Sequence, residues 1–219
     1  MTGRDGAWRR RRLAEAVLYL CVDRRAEQGD LAGLLEAVLG AGVDVVQLRD
    51  KTAPAHELRS AAAVFADAAH RHDALFVLND DPALAVEGHA DGVHVGQDDT
   101  RPATARAVVG AERLIGRSTH TVAEVDRAMA EDCDYFAVGP VHPTPTKEGR
   151  PGVGLAPVRH AAAVAGDDRP WFVTGAMAAR TAPAVLAAGA RRLVVVRAIT
   201  DAREPAAATA ELVALLRQG

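Results

Sequence analysis

Short apolar runs of strand length recur along the chain, and the stretches between them space their apolar residues at helical intervals. Eight runs stand out: AVLYLCV (16–22), VDVVQLR (43–49), ALFVLN (74–79), DGVHV (91–95), RLIGR (113–117), YFAVG (135–139), WFVT (171–174) and RLVVV (192–196). Helix signals fill the gaps. Asp30 precedes LAGLLEAVL as an N-cap, Thr121 and Glu124 form a T-x-x-E capping box ahead of VDRAM, and Gly40 and Gly189 stand where helices should close. Near-continuous apolar strands alternating with helices imply a parallel sheet covered by helices. Eight such units in 219 residues point to a single-domain α/β protein, a (β/α)8 TIM barrel, a little short of the ~250 residues usual for that fold. A doubly wound open sheet competes, but no GxGxxG follows the first run and no P-loop motif occurs.

The chain also echoes itself. LLEAVLGAGVDVVQLR (34–49) resembles APAVLAAGARRLVVVR (182–197), and ADGVHVG (90–96) resembles CDYFAVG (133–139). Hydrophobic residues make up 49% but only eight are aromatic, so small and branched side chains are expected to build the core. A net charge of −3 gives no general case for nucleic acid or membrane, and no run approaches the ~20 apolar residues of a membrane span. WRRRRL is a local exception. It reads as part of a solvated basic tail (residues 1–14) ahead of a barrel domain spanning 15–219, rather than as an arm for anionic surfaces. Cys21 and Cys133 lie in or beside strands with no CxxC or Cys/His spacing, which suits a reduced, cytoplasmic protein with two structural thiols.

In a barrel, chemistry collects where strands end and βα loops begin. The second run ends in QLRDK. Alternation puts Gln47 and Arg49 on one face, with Lys51 continuing it, and Val46 and Leu48 on the other. Two cations on an inward face ask for an anion; ion pairing with Asp44 or Asp50 is the structural alternative. The third run ends in Asn79-Asp80-Asp81, and Gly96-Gln97-Asp98-Asp99 follows the fourth. Carboxylates from adjacent loops suit Mg2+, which takes one or two of them, keeps waters and shares substrate phosphates. They also suit helix caps, and one acid of each pair can cap while its neighbour binds metal.

The fifth run offers Ser118 as a phosphate-binding hydroxyl and His120 as a structural group; His94, inside the fourth, reads as a core histidine. The sixth leads into GPVHPTPTKEGRPGVG (139–154), where four prolines stiffen a loop carrying Thr144, Thr146 and Lys147. Thr174-Gly175 and Val196-Arg197 end the last two runs, where this fold frequently holds a phosphate. Gly175 permits close backbone approach. Two anion sites are expected: a diphosphate with metal over strands two to six, and a monophosphate over strands six to eight.

Taken in order, QLRDK, LND, ADGVHVGQDD, IGRSTH and VGPVHPTPTK resemble the thiamine phosphate synthase family, along nearly the whole chain from LYLCVDR to VVVRAI. The resemblance implies an Mg2+-dependent barrel enzyme. It would condense 4-amino-2-methyl-5-(diphosphooxymethyl)pyrimidine with 4-methyl-5-(2-phosphoethyl)thiazole to thiamine phosphate and pyrophosphate, by dissociative substitution at the pyrimidine methylene. Gln47, Leu48, Arg49, Asp50, Lys51, Asn79, Ser118 and Lys147 would then bind the pyrimidine diphosphate, with Arg49, Lys51, Ser118 and Lys147 catalytic. Asp80 and Asp99 would hold Mg2+. Thr144, Pro145, Thr146, Gly175, Val196 and Arg197 would bind the thiazole phosphate. The partners are two small phosphorylated molecules, with no nucleic acid and no membrane. Two positions depart from the family pattern: Thr174 where Gly is usual, and Arg197 where Ser is frequent. A thiazole tautomerase shares the barrel but needs a proton-transfer residue and no diphosphate site. A non-catalytic sensor of thiamine phosphate needs no place for a leaving pyrophosphate.

Overall fold

A computed structural model of the chain describes residues 4–144, 151–166 and 169–218. Its strands close into a parallel barrel in chain order: β1 (Leu18–Val22), β2 (Val45–Leu48), β3 (Leu75–Asn79), β4 (Gly92–Val95), β5 (Leu114–Thr119), β6 (Tyr135–Val138), β7 (Trp171–Val173) and β8 (Leu193–Val195). The helices are α1 (Gly6–Glu15), α2 (Leu31–Gly40), α3 (Ala55–Arg71), α4 (Pro82–Glu87), α5 (Pro102–Val109), α6 (Val122–Ala130), α7 (Ala156–Val164), α8 (Ala182–Ala187), α9 (Arg197–Thr200) and α10 (Pro205–Arg217). Each expected apolar run overlaps one strand, with β5 running two residues beyond its run to Thr119, and the (β/α)8 barrel is the fold. Among the described residues no helix is long and apolar enough to cross a membrane.

Local helix signals hold at α6 and α8. Thr121 Oγ1 accepts the Glu124 amide at 3.2 Å, and the Glu124 carboxylate accepts the His120 amide at 2.6 Å. Gly189 takes φ +99 behind α8. Two signals at α2 fail. Asp30 occupies the N-cap position without capping, because its carboxylate pairs with Arg25. Gly40 is the last helical residue, and Gly42 makes the left-handed turn at φ +107.

Strand alternation sorts the apolar residues into two layers. Leu20, Val46, Leu48, Phe76, Leu78, Val93 and Phe136 pack outward with the helices, whereas Tyr19, Val45, Leu75, Val77, Leu114, Tyr135 and Phe172 fill the barrel. This corrects the core expected from composition. Aromatic residues are few, but three of them occupy the interior, with Phe172 meeting Tyr19 and Tyr135 edge-on at centroid distances of 5.3 and 5.8 Å. Such rings fill volume that Val and Ala cannot, and they carry two hydroxyls that need buried partners. Both cysteines are buried thiols that form no disulfide. Burial pushes the Cys133 thiol up to about 11, which suits an inert structural group.

The internal echo has a physical meaning at the N-terminal rim. Asp44, Asp91 and Asp134 stand just before β2, β4 and β6, and each accepts backbone amides at the start of the preceding strand. The bonds are Val17 and Leu18 to Asp44 at 2.9 and 3.0 Å, Phe76 to Asp91 at 3.0 Å, and Ile115 to Asp134 at 2.8 Å. Asp44 is thus committed to the backbone and does not pair with Arg49.

The same rim corrects the reading of the basic tail as solvated, over its described residues 4–14. Asp5 caps α1 by accepting the Trp8 amide at 2.8 Å, and Leu13 is buried against the barrel floor. Arg4 and Arg9 bond the Asp91 carboxylate at 2.7 and 3.0 Å, and Arg10 bonds Asp134 at 3.0 Å. Buried carboxylates need paired cations, and the arginine run supplies them. Helix α1 is a plug for the bottom of the barrel.

Candidate active site

The C-terminal ends of the strands open into a cavity of about 890 Å³. Strand β2 delivers Gln47, buried at its floor, with Arg49 and Lys51 above. Among the described residues the Arg49 guanidinium makes no ion pair or side-chain hydrogen bond. Lys51 Nζ lies 3.2 Å from Asp80. The two acids after β3 divide as the sequence suggested: Asp81 caps α4 by accepting the Leu84 amide at 3.0 Å, while Asp80, in a left-handed turn at φ +66, lines the cavity. The second pair behaves differently. The α5 N-cap is Arg101, so neither Asp98 nor Asp99 caps it, and Asp99 instead accepts the Gly96 amide at 2.8 Å.

The Asp80 and Asp99 carboxyls face each other closely enough that each shifts the other's titration. Burial, and then the neighbouring Asp99, push the Asp80 carboxyl above its ordinary range, with Lys51 opposing them. For Asp99 burial also pushes upward, but the hydrogen bonds from Asp80 and the Gly96 amide outweigh it and hold the group low. Two facing carboxylates that press each other's titration apart are a pair that a cation would relieve. Among the described residues no group of three or more His, Cys, Asp or Glu is placed to hold a metal. The donor set therefore fits a hard cation that keeps waters and shares substrate oxygens, as Mg2+ does, rather than a structural zinc.

Strand β5 places Ser118, buried, on the cavity floor, and the His120 ring bonds the Gly139 carbonyl while the residue also lines the cavity. His94 is a core histidine with both ring nitrogens bonded, although its ring also reaches the cavity floor. On the far side, Thr144, Thr174, Gly175, Val196 and Arg197 line the cavity. Gly175 has φ +109, and a Cβ there would run into the backbone of Pro140 and Val141. The loops after β6 and β7 touch through this glycine, the Val141 amide donating to the Thr174 carbonyl at 2.8 Å. Arg197 opens the short helix α9 and is free of ion pairs among the described residues. A short extra helix after the last strand is a frequent phosphate-binding element of this fold.

Two assigned residues do not bring their side chains to the cavity. Leu48 faces the helix layer, as strand alternation requires of the residue after Gln47. The Asp50 carboxylate pairs with Arg24 at 3.1 Å and accepts the Thr52 and Ala53 amides, so it braces the turn below Lys51. Pro145, Thr146 and Lys147 lie outside the described residues. Sequence reasoning missed Arg180, whose side chain lines the cavity from the loop after β7. It follows the strand end by too many residues for alternation to place it. The floor residues Tyr19 and Cys21 were also missed as site residues.

Residues 18–199 match the family model described as thiamine monophosphate synthase. A thiamine-phosphate synthase of Acidothermus cellulolyticus is 54% identical over 205 residues, covering 93% of this chain and 96% of that one. Another, from Mycobacterium bovis, is 52% identical over 211 residues, covering 92% and 95%. Among solved structures, a thiamine phosphate pyrophosphorylase from Pyrococcus furiosus superposes with a TM-score of 0.83 at 26% identity, covering 95% of this chain and 98% of that one.

Proposed function

The chain belongs to the thiamine monophosphate synthase family and is a transferase of thiamine biosynthesis; from that premise we propose that it joins 4-amino-2-methyl-5-(diphosphooxymethyl)pyrimidine to 4-methyl-5-(2-phosphoethyl)thiazole, releasing pyrophosphate. The observation that carries this reading is the Lys51–Asp80–Asp99 cluster, with Arg49, unpaired among the described residues, lining the same cavity. A cavity of this charge pattern handles a diphosphate together with a hard cation. Neither a thiazole tautomerase nor a passive sensor needs that cluster.

In this reading Asp80 and Asp99 hold Mg2+, which when bound supplies positive charge beside the leaving diphosphate. Arg49 and Lys51 bind the diphosphate oxygens, with Lys147 joining them on the strength of the family motif. These charges are in place before reaction and act as negative charge grows on the departing oxygen. Gln47, Asn79 and Ser118 hold the pyrimidine end. Thr144, Thr146, Gly175, Val196 and Arg197 hold the thiazole phosphate, and Pro145 stiffens their loop. The substitution is dissociative: the bond from methylene carbon to diphosphate oxygen breaks, and the thiazole nitrogen then attacks the pyrimidine methylene cation. That nitrogen is already a nucleophile, so no general base is required. Holding both molecules in line supplies much of the remaining rate.

The test is an assay of purified protein with both substrates, run with Mg2+ and with EDTA. Thiamine phosphate should form only with Mg2+ and only when both substrates are present. Folded protein that makes none would overturn the proposal.

A further inference from the structure

The tyrosines that fill the barrel also carry a hydrogen-bonded chain along the cavity floor, running from Cys21 to Ser118, and of its members only Tyr135 does not line the cavity. Cys21 Sγ donates to Gln47 Oε1 at 3.1 Å, and Gln47 Nε2 donates to the Tyr19 hydroxyl at 2.7 Å. The Tyr19 and Tyr135 hydroxyls lie 3.0 Å apart. The Tyr135 hydroxyl is 3.2 Å from His94 Nδ1, and His94 Nε2 is 2.9 Å from Ser118 Oγ. Every member is buried. Gly116 makes the crossing possible: a Cβ there would collide with the Tyr135 ring and with His94 Nδ1.

The direction of the chain follows from counting protons. An amide nitrogen only donates, so the Tyr19 hydroxyl accepts from Gln47 and its own proton goes to Tyr135. The Tyr135 proton then goes to His94 Nδ1. Both phenols keep their protons, because burial raises each above the ordinary tyrosine value. A proton on Nδ1 would instead strand the Tyr135 hydroxyl proton without an acceptor in a buried site, a costly arrangement. The neutral ring therefore carries its proton on Nε2 and donates to Ser118 Oγ. Ser118 has no other side-chain hydrogen bond among the described residues, so its own proton is left for the cavity.

We propose that Tyr19, Tyr135 and His94 are positioning residues: they hold His94 in its Nε2-protonated form and so commit Ser118 to donate a hydrogen bond to an acceptor atom of the pyrimidine substrate. The identity of that molecule rests on the proposed function; the tautomer and the direction of the chain belong to the free protein.

The decisive measurement uses unmodified protein labelled with 15N-histidine, without substrate. Multiple-bond proton–nitrogen correlation should show His94, assigned by the loss of its signals in His94→Gln, as a neutral ring protonated at Nε2. A His94 ring protonated at Nδ1 overturns the proposal. Kinetics then probe the link to Ser118. Ser118→Ala should raise KM for the diphosphate substrate about tenfold and Tyr135→Phe about three- to tenfold. In the Ser118→Ala background, Tyr135→Phe should add less than about twofold, because both act through one hydrogen bond. Fully multiplicative effects would overturn the coupling. Absence of turnover with these substrates would sink the proposed function, and the His94 tautomer would still be read.

Discussion

Asp80 is where the site's chemistry and its stability pull apart. Its carboxyl is raised by burial and by Asp99, so the ionised form destabilises the fold when no cation is present. That penalty exists above the folded-state pKa and disappears as pH falls through it. Asp80→Asn removes the charge and, unlike Ala, tolerates the left-handed backbone at φ +66. In EDTA the variant should melt about 2 °C above wild type at pH 8, with the gap closing as pH is lowered toward 4. Its turnover with Mg2+ should fall by about 100-fold or more. Thermal melts across that pH range check the first outcome, and a variant that melts lower at pH 8 contradicts the account. On the opposite wall, Arg180→Met and Arg197→Met should each raise KM for the thiazole phosphate about tenfold while leaving KM for the pyrimidine diphosphate near wild type. Steady-state kinetics with each substrate varied in turn decide it. At this scale the sequence showed the residues that strand alternation or an acidic pair announces, such as Gln47, Arg49 and Asp80. It hid Arg180, which a loop folds back, and it assigned Asp50 to a ligand although Arg24 and a turn use that carboxylate.

Among the elements, the strands were legible because each is a compact apolar run, and their ends moved by only a residue or two. Helix α1 was not legible as a barrel part. Arg9 and Arg10 within it, and Arg4 just ahead of it, answer acids 82 to 124 positions away, and no local pattern reveals partners at that range. Its contribution is measurable. Replacing Arg4 and Arg9 together by Met leaves Asp91 buried without those two cations and should cost about 3 kcal/mol or more in urea denaturation. The remaining folded protein should keep a normal kcat, because α1 lies at the end of the barrel away from the cavity. A normal urea midpoint would reduce the plug to decoration.

The whole molecule is polarised along the barrel axis. The N-terminal end holds the acids that tie down strand starts, with the arginines of α1 over them. The C-terminal end holds acids and cations that answer each other incompletely. Between them lies an interior of aromatic rings whose hydroxyls reach up to Gln47 and, through His94, to Ser118. The barrel itself was legible from eight alternating units, whereas the interior was not, because composition counts residues without saying which side of a strand they face. The account's central claim is that this end of the barrel couples loss of pyrophosphate to carbon–nitrogen bond formation. The most direct measurement follows the reaction by phosphorus NMR with both substrates and Mg2+. The account predicts pyrophosphate and thiamine phosphate appearing one for one, with the diphosphate substrate stable in EDTA. Pyrophosphate released without matching thiamine phosphate, or neither product from folded protein, would contradict it.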